Sequence, residues 1–181
     1  MKGLHRHRVD PLKEEHLTLI YKWQHTKEWE ALLGVPKGFT REALTEWYRG
    51  IKDNPHYKFY RIGYKGKPVG LISFFDITPK HSRCYWAPFI CDQKKSEVMN
   101  QMMVINALDK IFFKLHIHKV CAEILETNEP MVKFHEALGF QFEALYVDHI
   151  QDHGEYKNVV HMSLFKDQWG KVRNKILIDE A

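Results

Sequence analysis

Three stretches in the second half of the chain carry residue types that do chemistry. In Leu115-His116-Ile117-His118-Lys119-Val120-Cys121-Ala122-Glu123-Ile124, a polar lead-in feeds an apolar, β-branched run. Asn128-Glu129-Pro130-Met131-Val132-Lys133-Phe134-His135-Glu136-Ala137-Leu138-Gly139-Phe140 follows, and then Asp152-His153-Gly154-Glu155-Tyr156-Lys157-Asn158-Val159-Val160, with Trp169 beyond. Glu123 is a lone carboxylate among apolar neighbours, which is costly unless partnered. It reads either as a general base or as half of a salt bridge with Lys119 or a histidine. His135 belongs to the side-chain type that gives or takes a proton around neutral pH; the other reading is that it only packs. No nucleophile elbow and no Cys/His pair of recognisable spacing is present, so no covalent intermediate is expected, and Cys121 reads as packing.

The surrounding composition narrows the class. The chain has 181 residues, 44% hydrophobic and 28% charged, which fits one globular domain (1–181) and excludes a disordered chain. No uncharged apolar run approaches the ~18–20 residues that cross a bilayer. The basic start, Met1 to Arg8, is not followed by an apolar segment, so no signal peptide is expected and a cytoplasmic location is. Three cysteines without CxxC spacing argue against both a disulfide framework and a metal site. Twenty-seven basic against 23 acidic residues, or +4, suits a small anionic ligand and is too scattered for nucleic acid; a membrane partner is not expected either. A homodimer stays open.

Those residues need elements to position them. Val9 to Leu12 reads as a strand end entering a helix that carries Leu12, His16, Leu19, Ile20 and Trp23 at helical spacing. Gly34 to Gly38 breaks the chain before a second helix capped by Thr40, with Leu44, Trp47, Tyr48 and Ile51 on one face. Tyr57–Tyr64, Pro68–Ile77 and Arg83–Cys91 form an antiparallel meander. A long helix, about Ser96 to Leu115, has Val98, Met102, Ile105, Leu108, Ile111 and Phe112 inward. Strand Val120–Leu125, helix Glu129 to Leu138 stopped by Gly139, and strands Phe140–Val147 and Lys157–Phe165 complete the chain. Lys171, Arg173 and Lys175 read as a solvated tail. The expected class is α/β, a mixed sheet with helices on both faces.

This order, with Asn128, Phe134-His135-Glu136, Leu138-Gly139-Phe140 and, downstream, Asp152, Gly154, Tyr156 and Val159, resembles the GNAT family of acyl-CoA N-acetyltransferases over Val9 to Trp169. The resemblance implies a GNAT fold whose central sheet splits into a V between strands 4 and 5, with acetyl-CoA as co-substrate and direct attack by a primary amine. Backbone groups of Phe89, Ile90 and Cys91 would then meet the pantetheine arm. Asn128 would bond that arm or cap the helix at Glu129, and His135 would protonate the leaving thiolate or leave that to solvent. Glu123 would take the amine's proton through water. Lys94, Lys95, Ser96, Val98, Met99 and Asn100 stand where the family carries its pyrophosphate loop. That loop is normally glycine-rich, whereas here no glycine lies between Gly70 and Gly139. The departure supports a second reading, a degenerate non-catalytic module.

Within the family the chain resembles the branch that acetylates the UDP-linked 4-amino sugar on the way to pseudaminic acid, through Tyr85-Trp86, His118-Lys119, Glu123 and Phe134-His135-Glu136. Tyr85 or Trp86 would stack on the nucleotide sugar, and Lys22, His25 and Lys80 would meet its phosphates or be solvated surface. A protein N-terminal or polyamine acetyltransferase is the alternative. Glu28, Glu30, Asp53 and Asp76 would supply its acidic acceptor cleft, against which the net charge of +4 counts.

Overall fold

The computed structural model describes residues 7–33, 37–91, 104–152 and 154–179. Strands β1 (His7–Pro11), β2 (Lys58–Tyr64), β3 (Lys67–Thr78), β4 (Arg83–Ile90), β5 (Lys119–Leu125), β6 (Gln141–Asp152) and β7 (Glu155–Phe165) form one sheet in the order β1-β2-β3-β4-β5-β7-β6. Every neighbouring pair is antiparallel except β4 and β5.

Alternation along the strands divides side chains between two apolar layers. On one face Phe74, Trp86, Val120, Ala122 and Leu164 pack under a helix over 104–109, here α4, that continues into a π-helical turn at Lys110–Lys114. The expected inward residues Ile105, Leu108, Ile111 and Phe112 are all buried; Val98 and Met102 lie outside the described residues. On the other face Leu71 and Phe89 pack against α1 (Leu17–Trp23), α2 (Lys27–Glu30) and α3 (Arg41–Ile51) through Ile20, Trp29, Leu44 and Tyr48. Thr40 caps α3 by accepting from Ala43 N–H at 3.1 Å.

The expected solvated tail is instead helix α6 (Lys166–Asp179). Its Trp169 is fully buried and donates to Asp109 at 2.9 Å, and Arg173 reaches the same carboxylate at 2.8 Å. Only Lys171 and Lys175 are solvated as expected. A lysine- and arginine-bearing stretch gave no sign of this because its apolar contacts, Trp169, Val172 and Ile176, are spaced around residues suited to water. Helix α5 (Glu129–Ala137) ends at Gly139, whose φ of +88° only glycine adopts freely and whose absent Cβ leaves room for Val172 of α6. Helix α2 was not legible either, being a single turn. Strands β6 and β7 outrun the expected Phe140–Val147 and Lys157–Phe165, because two irregularities in their pairing carry the hairpin onward to Asp152 and Glu155.

Candidate active site

Strands β4 and β5 pair at only three positions, Arg83 with Lys119, Cys84 with Val120 and Tyr85 with Cys121. Beyond Tyr85 they diverge, and Trp86 to Ile90 have no partner on that side. Cys91 donates its N–H to Val69 O at 2.9 Å on β3, so strand alternation turns Trp86, Pro88 and Ile90 toward the opening. Proline is tolerated here in mid-sheet because its missing N–H faces a side without a ladder. Gly70 fixes how closely β3 approaches: a Cβ there would lie 2.2 Å from Phe89 O. Of the three backbones expected to meet a ligand, the Ile90 N–H is thus directed at the split and the Cys91 N–H is spent on β3.

The opening is a slot through the sheet, walled by Trp86 to Pro88, Ala122 to Ile124, Asn128, Met131 and His135, with Ala31 to Leu33 after α2 closing it from the other face. It holds about 10 Å³, about the room of one water. Asn128 is half-buried, and its side-chain amide neither caps α5 nor makes any other hydrogen bond among the described residues. His135 is 1% exposed, with its ring against Trp86 and Phe140. Its Nδ1 lies 2.7 Å from Met131 O and must carry the hydrogen, leaving Nε2 a buried lone pair with no partner. Burial pushes its pKa down to about 4. In that state Nε2 accepts and has no proton to give, and donation from it would first require protonation of the ring, which burial opposes.

On the opposite face, around the last paired rung, lies a polar cluster. Glu123 is half-buried, lines the slot, and makes no ion pair or hydrogen bond among the described residues. Lys119, its expected partner, instead bonds Glu143 at 2.7 Å. Glu143 also accepts from Ser163 Oγ at 2.7 Å and sits 3.3 Å from His161 Nδ1. Burial works to raise the Glu143 pKa, but the Lys119 and Ser163 hydrogen bonds and the Lys119 charge outweigh it and lower it. His161 stands opposite Glu123 across β5 and β7, its ring between Tyr85 and Tyr146 at 5.9 and 5.5 Å. Burial lowers its pKa against the pull of Glu143 and Glu123. His161 and Glu143 escaped sequence reasoning, because what unites them is cross-strand register. The one signal was His161 within the largely apolar run Val159–Leu164.

Other expected site residues fall elsewhere. Trp86 is 2% exposed and stacked on Phe140, so it is unavailable for stacking on a base. Tyr85 takes the opposite face, stacked on Phe75 beneath the Arg83 guanidinium. Lys22 and His25 are exposed on and just after α1, and Lys80 on the turn before β4; none lines the slot. Lys94, Lys95, Ser96, Val98, Met99 and Asn100 lie outside the described residues. The third sequence stretch is structural: Asn158 donates to Glu126 and accepts from Asp148 N–H, each at 2.9 Å, tying the β6–β7 irregularity to the end of β5. Among the described residues no group of His, Cys, Asp and Glu is arranged to hold a metal, and no helix is long and apolar enough to cross a membrane.

A half-zipped parallel pair flanked by antiparallel strands is the architecture that the sequence resemblance implied. The family model described as "Acetyltransferase (GNAT) domain" matches residues 12–160. The chain belongs to the GNAT acetyltransferase family. It is 21% identical over 170 residues to the spermidine N(1)-acetyltransferase of Escherichia coli K12, covering 93% of this chain and 91% of that one. Identity to the spermidine N(1)-acetyltransferase of Vibrio cholerae is 23% over 129 residues, 71% of this chain and 75% of the relative. The crystal structure of the Vibrio cholerae spermidine N-acetyltransferase in complex with CoA and spermine superposes with a TM-score of 0.83 at 18% identity, covering 91% and 98% of the two chains. These relatives are spermidine N-acetyltransferases and not members of the amino-sugar branch that the sequence resemblance pointed to.

The co-substrate of a GNAT acetyltransferase is acetyl-CoA, which supplies the activated acetyl thioester. The residues present suit it: an unpaired edge on β4, an uncommitted Asn128 amide, and the orphaned Nε2 of His135 all front the slot. Each is a polar group whose partner a pantetheine arm, with its amides, could provide.

Proposed function

We propose that this acetyltransferase moves an acetyl group onto a primary amine of a polyamine such as spermidine, by direct attack. The observation that carries the reading is the Glu123 carboxylate in the slot wall, with two further acidic residues on the helix turn that leads into that wall. Glu28 and Glu30 lie on the turn of α2 that runs directly into the wall residues Ala31 to Leu33, and Glu123 stands on the opposite wall. The net charge of +4 counts the whole chain, whereas an acceptor ammonium responds to charges within about a Debye length, ~8 Å at physiological salt. Asp53 and Asp76 do not belong to this group, since they face Lys52 and Arg83.

In this reading Glu123 draws the ammonium to the slot and receives its proton through water, and the Ile90 N–H and Asn128 hold the pantetheine arm. His135 accepts a hydrogen bond from that arm instead of acting as the acid, because its only N–H is committed to Met131. The amino-sugar reading keeps only Tyr85 as a stacking ring, with Trp86 in the core, and the basic residues assigned to its phosphates do not line the slot.

Calorimetry with acetyl-CoA, followed by turnover on spermidine, a UDP-linked amino sugar and an N-terminal peptide, tests the reading. Micromolar to millimolar binding and acetylation of spermidine are expected, with KM for spermidine raised several-fold in Glu28→Gln/Glu30→Gln. Turnover of the sugar alone would restore that branch. No binding at millimolar acetyl-CoA would leave a non-catalytic module.

A further inference from the structure

We propose that His161, oriented by Glu143, is the group on which the acceptor amine's proton finally rests. This deepens the proposed acetyltransferase reading and rests on it.

The argument is one of register. Glu123 and His161 are direct partners across β5 and β7, two pairs past the Cys121–Ser163 position, and Cys121 is also the last residue of β5 that pairs with β4. The imidazole therefore sits where the sheet begins to open, on the same face as Glu123. Its ring reaches across β5 to Tyr85. Nδ1 faces Glu143 at 3.3 Å, and Nε2 has no hydrogen bond among the described residues. A carboxylate 3.3 Å from Nδ1 favours the tautomer with its hydrogen there, which leaves Nε2 as acceptor, and it stabilises the imidazolium once that forms. Ser163 donates to Oε1 of Glu143 and Lys119 to Oε2, the oxygen that also faces His161, so the carboxylate is held in place beside the ring.

Free imidazole is a stronger base than a free carboxylate; burial lowers the His161 pKa while Glu143 and Glu123 work to raise it. In this proposal a proton that Glu123 gathers through water moves on to Nε2. Of the three protons on the incoming ammonium, one passes to Nε2 and later to solvent. A second goes to the departing sulfur as the C–N bond forms and the C–S bond breaks. The third stays on the amide nitrogen. Arg83 and Tyr85 on β4, Lys119, Cys121 and Glu123 on β5, and Glu143 and Tyr146 on β6 are the charged or titratable groups facing the ring. The two carboxylates raise its pKa and the two cations lower it.

The test is the pH profile of kcat/KM with acetyl-CoA and spermidine for wild type, His161→Gln and Glu143→Gln, with acetyl-CoA calorimetry confirming that each variant is folded. His161→Gln is expected to lose ~10²-fold or more in kcat, the scale of general base catalysis, and to lose the acid limb of the profile. Glu143→Gln, nearly isosteric, should move that limb to lower pH, because the carboxylate that favours imidazolium is gone. If His161→Gln does not fold, the Glu143→Gln shift decides alone. Variants that keep the wild-type limb would overturn the proposal and leave Glu123 or solvent as the base. A folded wild type that binds acetyl-CoA and acetylates no amine would instead overturn the functional reading beneath it.

Discussion

A histidine in water gives and takes protons near pH 6.5, and two histidines in this domain show how burial divides those abilities. His135 is sealed among Trp86, Phe134 and Phe140 with its one hydrogen on Met131 O, so it is neutral down to about pH 4. Two outcomes follow from that state. His135→Phe should raise KM for acetyl-CoA several-fold with kcat within a few-fold of wild type; a 10²–10⁴-fold fall in kcat would return the acid role to it. Stability should also depend on the same ring. Its folded pKa lies below the 6.5 of the free side chain, so the unfolded chain binds the proton first as pH falls. Stability is intact above pH 6.5 and is lost from there down to about 4, by roughly 3 kcal/mol. Urea midpoints against pH should show this slope in wild type and a shallower one in His135→Phe.

At the scale of the element, β4 does two jobs with its two edges. Toward β3 it is an ordinary antiparallel strand from Arg83 to Cys91; toward β5 it is zipped for three residues and then open. Hydrogen exchange reads this directly. The Ile90 amide, facing the split, should exchange much faster than Cys91, whose N–H is bonded to Val69 O, and acetyl-CoA should slow Ile90 selectively. Equal protection of both amides in the absence of ligand would mean that the split is closed in solution. Pro88 was the local clue: a proline in a strand that otherwise reads as central signals a side with no ladder to satisfy. Phe89 and Cys91, expected beside Ile90 as ligand contacts, show the limit of reading a strand without its pairing, since alternate backbone groups serve opposite neighbours.

For the whole molecule, the layer that holds α4 is tied together at the end of the chain. Asp109, on α4, accepts from both Trp169 and Arg173 of α6, and so joins the last helix to the one that packs under β4 and β5. Asp109→Ala would leave the Trp169 N–H without its acceptor, at a cost of about 1–3 kcal/mol, seen as a lowered urea midpoint with an unchanged slope. An unchanged midpoint would show that α6 is held by apolar contact alone.

Local pattern was enough for much of this domain. The succession of elements, the inward residues Ile105 to Phe112 and the stop at Gly139 were legible because period-2 and period-3.6 burial and turn chemistry are short-range properties written along the chain, whereas the parallel, diverging β4–β5 pair was implied by the family resemblance. Asn128, His135 and Glu123 were legible as polar residues in apolar or capping positions. What the tertiary structure alone decided is which polar groups meet. Lys119 turns from Glu123, four residues away, to Glu143, twenty-four away. His161 comes to stand beside Glu123, thirty-eight residues distant. Trp86 and Tyr85, adjacent in sequence, end on opposite faces of the sheet, one in the core and one at the mouth. Those outcomes depend on strand register, in which a slip of one residue exchanges the two faces, and register is set by the packing of all seven strands at once.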